Sequence, residues 1–435
     1  MNKIRQYSTT FVLIRGLMIA MLSSAFIYLN HWGLSTPLVN TFLGLLALYL
    51  LLESNSTTWF ISGAFIGLFW FWWIALSLIH YDMLWAAPIE ILIIMLIYGI
   101  LFAFISWLSE KISYYFFRTR ATRPTLLPLI FKAVGLLLLS YIHPLSFDWF
   151  KPELMFVESY IGIEKWQFGI VLSGIVLSLW QKKPYTLLLI LFTYTPYPVT
   201  LTKTPQNIEL VTTHTSIHDK WNNTLHKEQF QALFKQIDHA IDTNKSLVIL
   251  PESVFPVFIN RELKLFQELQ EKSKSISIAT GGLYWDGESP RNSTYIFTNK
   301  QVSIANKVLL VPFGESNPLP DFLSNWVNKV FYDGAVDYKA SDKVTDYKID
   351  GITYRNAICF EATSEKLYEK DKNGDRPKNM IVLSNNGWFT PSVEPTLQKL
   401  LLLYYNKKYG TTIYHAINMS ESYIVQKGII FTPSI

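Results

Sequence analysis

Seven long apolar stretches occupy the first 200 residues, and they constrain the fold more than any other feature of the sequence. A helix that crosses a hydrocarbon core of about 30 Å needs roughly 20 apolar residues. The stretches run approximately over residues 10–29, 38–52, 59–78, 88–108, 126–145, 166–180 and 185–199. Residues 1–200 are therefore predicted to form an α-helical transmembrane bundle of about seven helices.

The composition supports a membrane protein and excludes several other classes. Charged residues make up 16% of the chain, against about 25% in soluble proteins. The single cysteine excludes an intramolecular disulfide framework and a thiolate metal cluster. None of the eight histidines lies in an HExxH motif, so we expect neither a metal nor a cofactor. The net charge of +5 is scattered, which does not favour nucleic-acid binding.

The basic residues between the apolar stretches predict an orientation. With a cytoplasmic N-terminus, eight lysines and arginines lie in inside segments and two in outside loops, a clear positive-inside bias. With seven spans, the chain after about residue 200 lies on the far side of the membrane. The inside residues are Lys3, Arg5, Lys111, Arg118, Arg120, Arg123, Lys182 and Lys183, and the outside residues are Lys151 and Lys165.

Residues 205–435 have the sequence pattern of one globular α/β domain. Residues 226–242 carry apolar side chains at helical spacing. Around this segment, apolar runs of strand length alternate with helix-like stretches. The predicted strands cover residues 208–212, 247–250, 276–283, 294–298, 352–360, 380–384 and 412–418.

Three residues near predicted strand ends could carry chemistry. Cys359 follows a β-rich run, although a free cysteine is commonly a small buried hydrophobe. Glu252 ends the strand LVILP, where burial would raise its pKa and suit a general base, unless it is simply a solvated loop residue. Lys307 opens the segment KVLLVPFGE, and a lysine there is usually a surface charge. Together they are more informative, because an ammonium group stabilises both a thiolate and an oxyanion.

The local contexts LPES, KVLLVPFGE and ICFE, in that order, resemble the Glu-Lys-Cys triad of the nitrilase superfamily of carbon–nitrogen hydrolases. The preceding membrane spans narrow the resemblance to the apolipoprotein N-acyltransferase family, over essentially the whole chain. It implies an α-β-β-α sandwich after the helical bundle. It also implies Glu252 as general base, Lys307 as the cation that stabilises the oxyanion, and Cys359 as nucleophile.

The resemblance extends to residues around the triad. Glu315 matches an accessory glutamate that orients the lysine, and Glu361 an acidic residue after the cysteine. Phe360 stands where many relatives have tyrosine, so a contribution from that hydroxyl is absent. Trp388 and Phe389 match aromatic residues that shape the substrate pocket, although Asn386-Gly387 and Thr390 depart from the family pattern.

The family's reaction moves an acyl chain from a phospholipid, with phosphatidylethanolamine the expected donor, through a cysteine thioester. The acceptor is the N-terminal α-amine of a diacylglyceryl apolipoprotein. The resemblance further implies the bacterial inner membrane, with a periplasmic catalytic domain, and nothing in the sequence requires more than a monomer. Residues 322–331 and 400–405 are apolar runs that fit either lipid-facing arms or ordinary core.

Two other functions remain open from the sequence. A membrane-tethered nitrilase-type amidase, acting on small carbon–nitrogen substrates, would use the same triad with a different electrophile and acceptor. A transporter with an outer binding domain is less favoured, because the predicted spans contain few charged residues.

Overall fold

The computed structural model describes residues 9–117, 126–144, 147–198, 207–312, 314–315, 338–371 and 373–432. The apolar run 322–331 and the basic residues Lys3, Arg5, Arg118, Arg120 and Arg123 lie outside these ranges. The chain forms two compact units. The first comprises residues 1–144, 148–199 and 391–404, and the second comprises residues 145–147, 200–390 and 405–435.

The first unit is helical, and each predicted apolar stretch coincides with a helix in it. Among the described residues, three stretches are long and apolar enough to cross a membrane: Thr9–His31, Ser56–Tyr81 and Leu84–Tyr115. The last predicted stretch is a 3-10 helix over Pro184–Thr193, and the number of spans stays a prediction. The α-helices in the described part of this unit before residue 200 are α1 Thr9–His31, α2 Pro37–Glu53, α3 Ser56–Phe71, α4 Ala87–Phe117, α5 Leu126–Leu139 and α6 Lys165–Gln181.

Several polar groups in these helices and at their ends have local partners. Arg15 in α1 pairs with the carboxylate of Glu53 at the end of α2, at 2.6 Å. Asn55 accepts a hydrogen bond from the Thr58 backbone N–H and so caps α3. Lys132 in α5 donates to the Ser54 carbonyl at 2.6 Å. Paired in this way, basic groups cost less to place in an apolar bundle.

The second unit contains two six-stranded sheets. The first has the order β1-β2-β4-β5-β6, with β3 also beside β4, and the second the order β12-β11-β10-β9-β8-β7. The strands of the first sheet are β1 Ile208–Leu210, β2 Leu247–Ile249, β3 Phe255–Phe258, β4 Ser277–Trp285, β5 Pro290–Thr298 and β6 Gln301–Asn306. Those of the second are β7 Asp346–Ile349, β8 Ile352–Ile358, β9 Asn379–Asn385, β10 Thr412–Asn418, β11 Tyr423–Gln426 and β12 Ile429–Phe431.

The two sheets pack face to face through alternate residues of their strands. Leu247 and Ile249 of β2 meet a buried cluster that includes Ile381 and Leu383 of β9. Because neighbouring residues of a strand point to opposite faces, Val248 instead faces the helices that cover the first sheet. Among the described residues of this unit before β9, the α-helices are α7 Ile217–Lys220, α8 His226–Asp242 and α9 Leu263–Lys272.

The last helix, α10 Glu394–Tyr409, is divided between the two units after Tyr404. Its final turns cover the second sheet: Asn406 donates to the Val425 carbonyl of β11, and the Tyr405 ring stacks on Tyr368. Helices thus flank both sheets, which confirms the predicted α-β-β-α sandwich. Residues 400–405 all lie within α10 and are at most 2% exposed, so this apolar run is core.

Candidate active site

The strand directions bring the predicted site residues of the first sheet to one edge. Glu252 follows the carboxyl end of β2, which runs parallel to β4. The antiparallel pairings of β4 with β5 and of β5 with β6 place the start of β5 and the end of β6 at that same edge. Lys307 follows β6 directly, and so lies at a strand end as the sequence predicted.

The turn that carries Glu252 depends on a close approach to β4. Ser253, the next residue, has a φ of 47°, in the left-handed region that L-residues rarely adopt. A Cβ atom at Gly281 of β4 would lie 2.4 Å from the Ser253 nitrogen and 2.7 Å from the Glu252 Cα. Only glycine leaves room for this turn, so Gly281 sets the position of the Glu252 backbone.

Lys307, Glu252 and Glu315 form a buried ionic cluster. The Lys307 Nζ lies 2.7 Å from Glu315 Oε2 and 3.9 Å from Glu252 Oε1, and its side chain is 1% exposed. Asn292 of β5 links the two carboxylates, because its Nδ2 donates to Glu252 Oε1 at 2.8 Å and to Glu315 Oε1 at 2.9 Å. The Val311 backbone N–H donates to Glu315 Oε2, which fixes this carboxylate beside the lysine.

The burial of this cluster shifts its protonation equilibria in ways that suit proton transfer. Burial and the nearby Glu315 carboxylate raise the pKa of Glu252, while Lys307 and the Asn292 amide hold it down. Burial alone would lower the pKa of Lys307, but the Glu315 and Glu252 carboxylates outweigh burial and raise it. Lys307 is therefore a permanent cation, and Glu252 is a carboxylate of increased basicity.

Cys359 lies directly after β8, which is parallel to β9 in the second sheet. Its φ is 53°, so the strand predicted to reach residue 360 ends at Ile358 and turns sharply at the thiol. The side chain is partly exposed, as a nucleophile requires. A Cys359 thiolate raises the pKa of Lys307, which places the thiol within electrostatic range of the buried ammonium group.

Glu361 connects the Lys307 and Cys359 segments. One carboxylate oxygen accepts the backbone N–H groups of Val308 and Leu309 at 2.8 and 3.2 Å, and the other accepts that of Ile358 at 2.8 Å. Burial raises the pKa of Glu361 to about 7, against the lowering effects of Lys307 and the three N–H donors. A single side chain thus fixes the residue after the lysine and the residue before the cysteine.

The Glu361→Gln variant is expected to lower the apparent Tm by about 5 °C and Cys359 acylation by about 10²-fold. A glutamine turns its NH₂ group towards one set of backbone N–H donors, which leaves buried donors unsatisfied. Thermal unfolding in detergent and single-turnover acylation measure the two effects. Glu288→Gln, at a side chain that is 86% exposed, is the matched control. An unchanged Tm for Glu361→Gln would contradict this connecting role.

The three aromatic residues predicted to shape a pocket lie in the second unit. Phe360 is 7% exposed, and its ring stacks on Phe147 with centroids 5.8 Å apart. Trp388 and Phe389 are half-buried after the carboxyl end of β9, the neighbour of the strand that ends at Cys359. Their role in binding stays a prediction. Within the described ranges, no group of three or more His, Cys, Asp or Glu side chains could hold a metal ion.

Sequence reasoning missed Asn292 and Gly281. Asn292 was missed because the predicted strand began at residue 294, whereas β5 begins at Pro290 and carries polar residues at its start. The signal for Gly281 was present, since a Gly-Gly pair inside an apolar strand indicates a close backbone approach. Neither residue lies near the triad in the sequence.

Comparisons with known proteins match both parts of the chain. Residues 10–197 match the family model of the apolipoprotein N-acyltransferase integral membrane domain. An apolipoprotein N-acyltransferase from Wolinella succinogenes is 39% identical over 93% of this chain and 94% of its own length. The apolipoprotein N-acyltransferase from Campylobacter jejuni is 34% identical over 98% of this chain and 92% of its own length. The one from Helicobacter pylori is 31% identical over 92% of this chain and 92% of its own length.

Solved structures align with about half of the chain. A CN-hydrolase superfamily protein from Xanthomonas campestris covers 52% of this chain and 86% of its own, at 14% identity and a TM-score of 0.38. The alignment with an amidase from Nesterenkonia covers 54% of this chain and 88% of the amidase chain, at 11% identity and a TM-score of 0.39. The assignment rests instead on the sequence relatives, which match almost from end to end. By these relatives and its integral membrane domain, the chain belongs to the apolipoprotein N-acyltransferase family.

Proposed function

We propose that this protein transfers an acyl chain from a phospholipid to the N-terminal α-amine of diacylglyceryl-cysteine in apolipoproteins, through a thioester on Cys359. The observation that carries the proposal is the buried Glu252–Lys307–Glu315 cluster, which lies within electrostatic range of the only cysteine in the chain. Its arrangement supplies a base, a fixed cation and a nucleophile, the three groups that acyl transfer through a thioester requires.

In the first half-reaction, Glu252 takes the thiol proton and the Cys359 sulfur attacks the ester carbonyl of the phospholipid. The Lys307 ammonium stabilises the tetrahedral oxyanion. When the intermediate collapses, the C–O bond breaks and Glu252 returns the proton to the leaving alkoxide. The products are a lysophospholipid and an acyl thioester on Cys359.

In the second half-reaction, the α-amine of the lipoprotein attacks the thioester carbonyl. Glu252 accepts a proton from the attacking nitrogen, Lys307 again faces the oxyanion, and the C–S bond breaks. The thiolate regains its proton and the amide is released. Donor and acceptor use the same thiol in turn, which predicts ping-pong kinetics.

Glu315 and Asn292 position the groups that react. Glu315 holds the Lys307 ammonium at 2.7 Å, and Asn292 keeps the Glu252 and Glu315 carboxylates apart by donating to both. The negative charge of Glu315 raises the pKa of the buried Glu252. The amide bridge holds both carboxylates close to the lysine, and its hydrogen bond to Glu252 offsets part of this increase in pKa.

The proposed location is the bacterial inner membrane, with the catalytic unit on the periplasmic side and phosphatidylethanolamine as donor. The distribution of basic residues supports this orientation. Of the two basic residues assigned to outside loops, Lys165 is paired with the buried Glu153 at 2.5 Å, which reduces the positive charge on that side. We propose that the protein acts as a monomer.

The amidase alternative has less support. The full-length relatives are acyltransferases by name, and the chain shares their integral membrane domain. A tethered amidase would need one span, whereas this chain has three stretches that are long and apolar enough to cross a membrane among its described residues.

The test is the intact mass of the purified protein after incubation with phosphatidylethanolamine vesicles. We expect one added acyl group that hydroxylamine removes, and its discharge by a diacylated lipopeptide with formation of a triacylated product. Because the chain has one cysteine, a hydroxylamine-sensitive adduct locates the acyl group on Cys359. A protein that gains no acyl group from lipid, yet hydrolyses small amides, would support the amidase instead.

A further inference from the structure

A second lysine lies beside the proposed catalytic groups and has no part in the mechanism above. Lys220 ends the short helix α7 and is 2% exposed, although it is a long cationic side chain. Its Nζ donates to the backbone carbonyl oxygen of Glu252 at 3.0 Å. Lysine is almost never fully buried unless its charge is compensated, so this placement requires an explanation.

The hydrogen bond alone does not explain the charge. A backbone carbonyl is neutral, and a neutral donor could satisfy it without the desolvation cost of an ammonium group. The charged groups that compensate Lys220 are the Glu252 carboxylate and the Cys359 thiolate, both of which favour its protonated form. The cation is thus maintained by the two groups that exchange the proton in the first half-reaction.

The segment that carries Lys220 is held rigidly. Asn418, at the end of β10, accepts from the Thr215 backbone N–H at 2.9 Å and donates to the Thr215 carbonyl at 2.8 Å. Ser216 caps α7 by accepting from the Asp219 N–H, and the His226 ring lies 3.1 Å from the Lys220 carbonyl. The ammonium group is therefore placed by the fold.

The net charge of the site also indicates a role for Lys220 in thiolate formation. The site contains two buried ammonium groups, those of Lys220 and Lys307, and three carboxylates, those of Glu252, Glu315 and Glu361. Without Lys220, a thiolate formed by proton transfer to Glu252 would lie beside the Glu315 and Glu361 carboxylates and one cation, Lys307, and the excess negative charge would oppose its formation. The ammonium group of Lys220, hydrogen-bonded to the Glu252 carbonyl, reduces this excess of negative charge.

We propose that Lys220 is a positioning residue of the active site, whose buried ammonium group holds the strained Glu252–Ser253 turn through the Glu252 carbonyl and supplies a second positive charge facing Glu252 and Cys359. The inference rests on the proposed acyl-transfer function. It adds a residue that touches no reacting atom and acts through the base and the nucleophile.

The first test uses the lone thiol and needs no lipid. Alkylation of Cys359 by iodoacetamide is followed against pH for the full chain, Lys220→Met, Lys220→Arg and Lys264→Met, the last at an exposed lysine of α9. We expect Lys220→Met to react about tenfold more slowly at pH 7 and to reach its half-maximal rate about one pH unit higher. Lys220→Arg and Lys264→Met should stay close to the unaltered protein.

The second test is the pH profile of Cys359 acylation by phosphatidylethanolamine vesicles. Burial lowers the pKa of Lys220 to about 8, against the opposing effect of Glu252 and Cys359. The lysine loses its positive charge as the pH rises through this value, so the acylation rate should fall above about pH 8. In Lys220→Arg the charge persists, and the fall should move to higher pH. Lys307 is the nearby cation that stays protonated throughout.

The outcomes separate this inference from the proposed function. Acylation of the unaltered protein, with an identical alkylation profile in Lys220→Met, would overturn the role of Lys220 alone. If the alkylation profile of Lys220→Met is shifted but the unaltered protein is not acylated, the effect of Lys220 on the thiol is supported and the acyl-transfer function is contradicted. If Lys220→Met fails to unfold cooperatively, the pH profile of the unaltered protein tests the proposal instead. An acylation rate that does not fall between pH 8 and pH 10 would then overturn it.

Discussion

Replacement of Cys359 by alanine is expected to leave no acyl adduct and to lower acyl transfer by at least about 10⁴-fold. The thiol is the proposed site of the covalent intermediate, and the chain contains no second cysteine that could replace it. Removing one sulfur atom from a partly exposed position should change the fold little. The measurement is triacylated lipopeptide formed from phosphatidylethanolamine, together with intact mass.

Cys359→Ser is the matched control for this variant. A serine keeps the shape and a hydroxyl but is a much weaker nucleophile beside Glu252, so a hydroxylamine-resistant oxygen ester is the most it can form. Equal apparent Tm values for the unaltered protein, Cys359→Ala and Cys359→Ser would show that the loss is chemical. Turnover by Cys359→Ala within tenfold of the unaltered protein would exclude the thioester mechanism.

The Lys307→Met variant is expected to lower Cys359 acylation by about 10³-fold. The Nζ lies 2.7 Å from Glu315 and 3.9 Å from Glu252, with a side chain that is 1% exposed. Its loss removes the charge proposed to stabilise the oxyanion and leaves two carboxylates buried without their cation. Single-turnover acylation measures the first effect, and thermal unfolding measures the second.

A double variant separates these two effects. In Lys307→Met/Glu315→Gln, one buried carboxylate is removed together with the cation, so the apparent Tm should recover most of its loss. The acylation rate should stay low, because the oxyanion still has no cation. Recovery of both would mean that Lys307 acts only on the fold. Lys339→Met, at a side chain that is 54% exposed, is the matched control.

Much of the architecture was predictable because it depends on local patterns. Apolar stretches of span length predicted the helices of the first unit, and α8 and β10 coincide with predicted segments. Glu252, Lys307 and Cys359 each lie after a strand, as expected from motifs that are contiguous in the sequence. Their catalytic roles stay predictions. The family resemblance is confirmed by relatives that match nearly the full chain.

Other features could not be predicted from local sequence patterns. Residues 400–405 could be a lipid-facing arm or core by composition, and only burial in α10 decided for core. The role of Glu361 was equally open, because a glutamate two residues after a cysteine could enter the reaction directly. Its carboxylate instead accepts N–H groups of Val308 and Leu309, more than 50 residues away in the chain.

The sequence by itself determined the apolar helical region, the α/β pattern of the second unit and the order of the three side chains proposed to be catalytic, because hydrophobic periodicity and short motifs are local properties. Only the tertiary structure decided that Asn292 bridges two carboxylates and that the Lys220 cation lies against the Glu252 carbonyl. These contacts join residues that are 23 to 40 positions apart in the chain. Packing of the sheets and helices, which no local pattern encodes, creates such contacts.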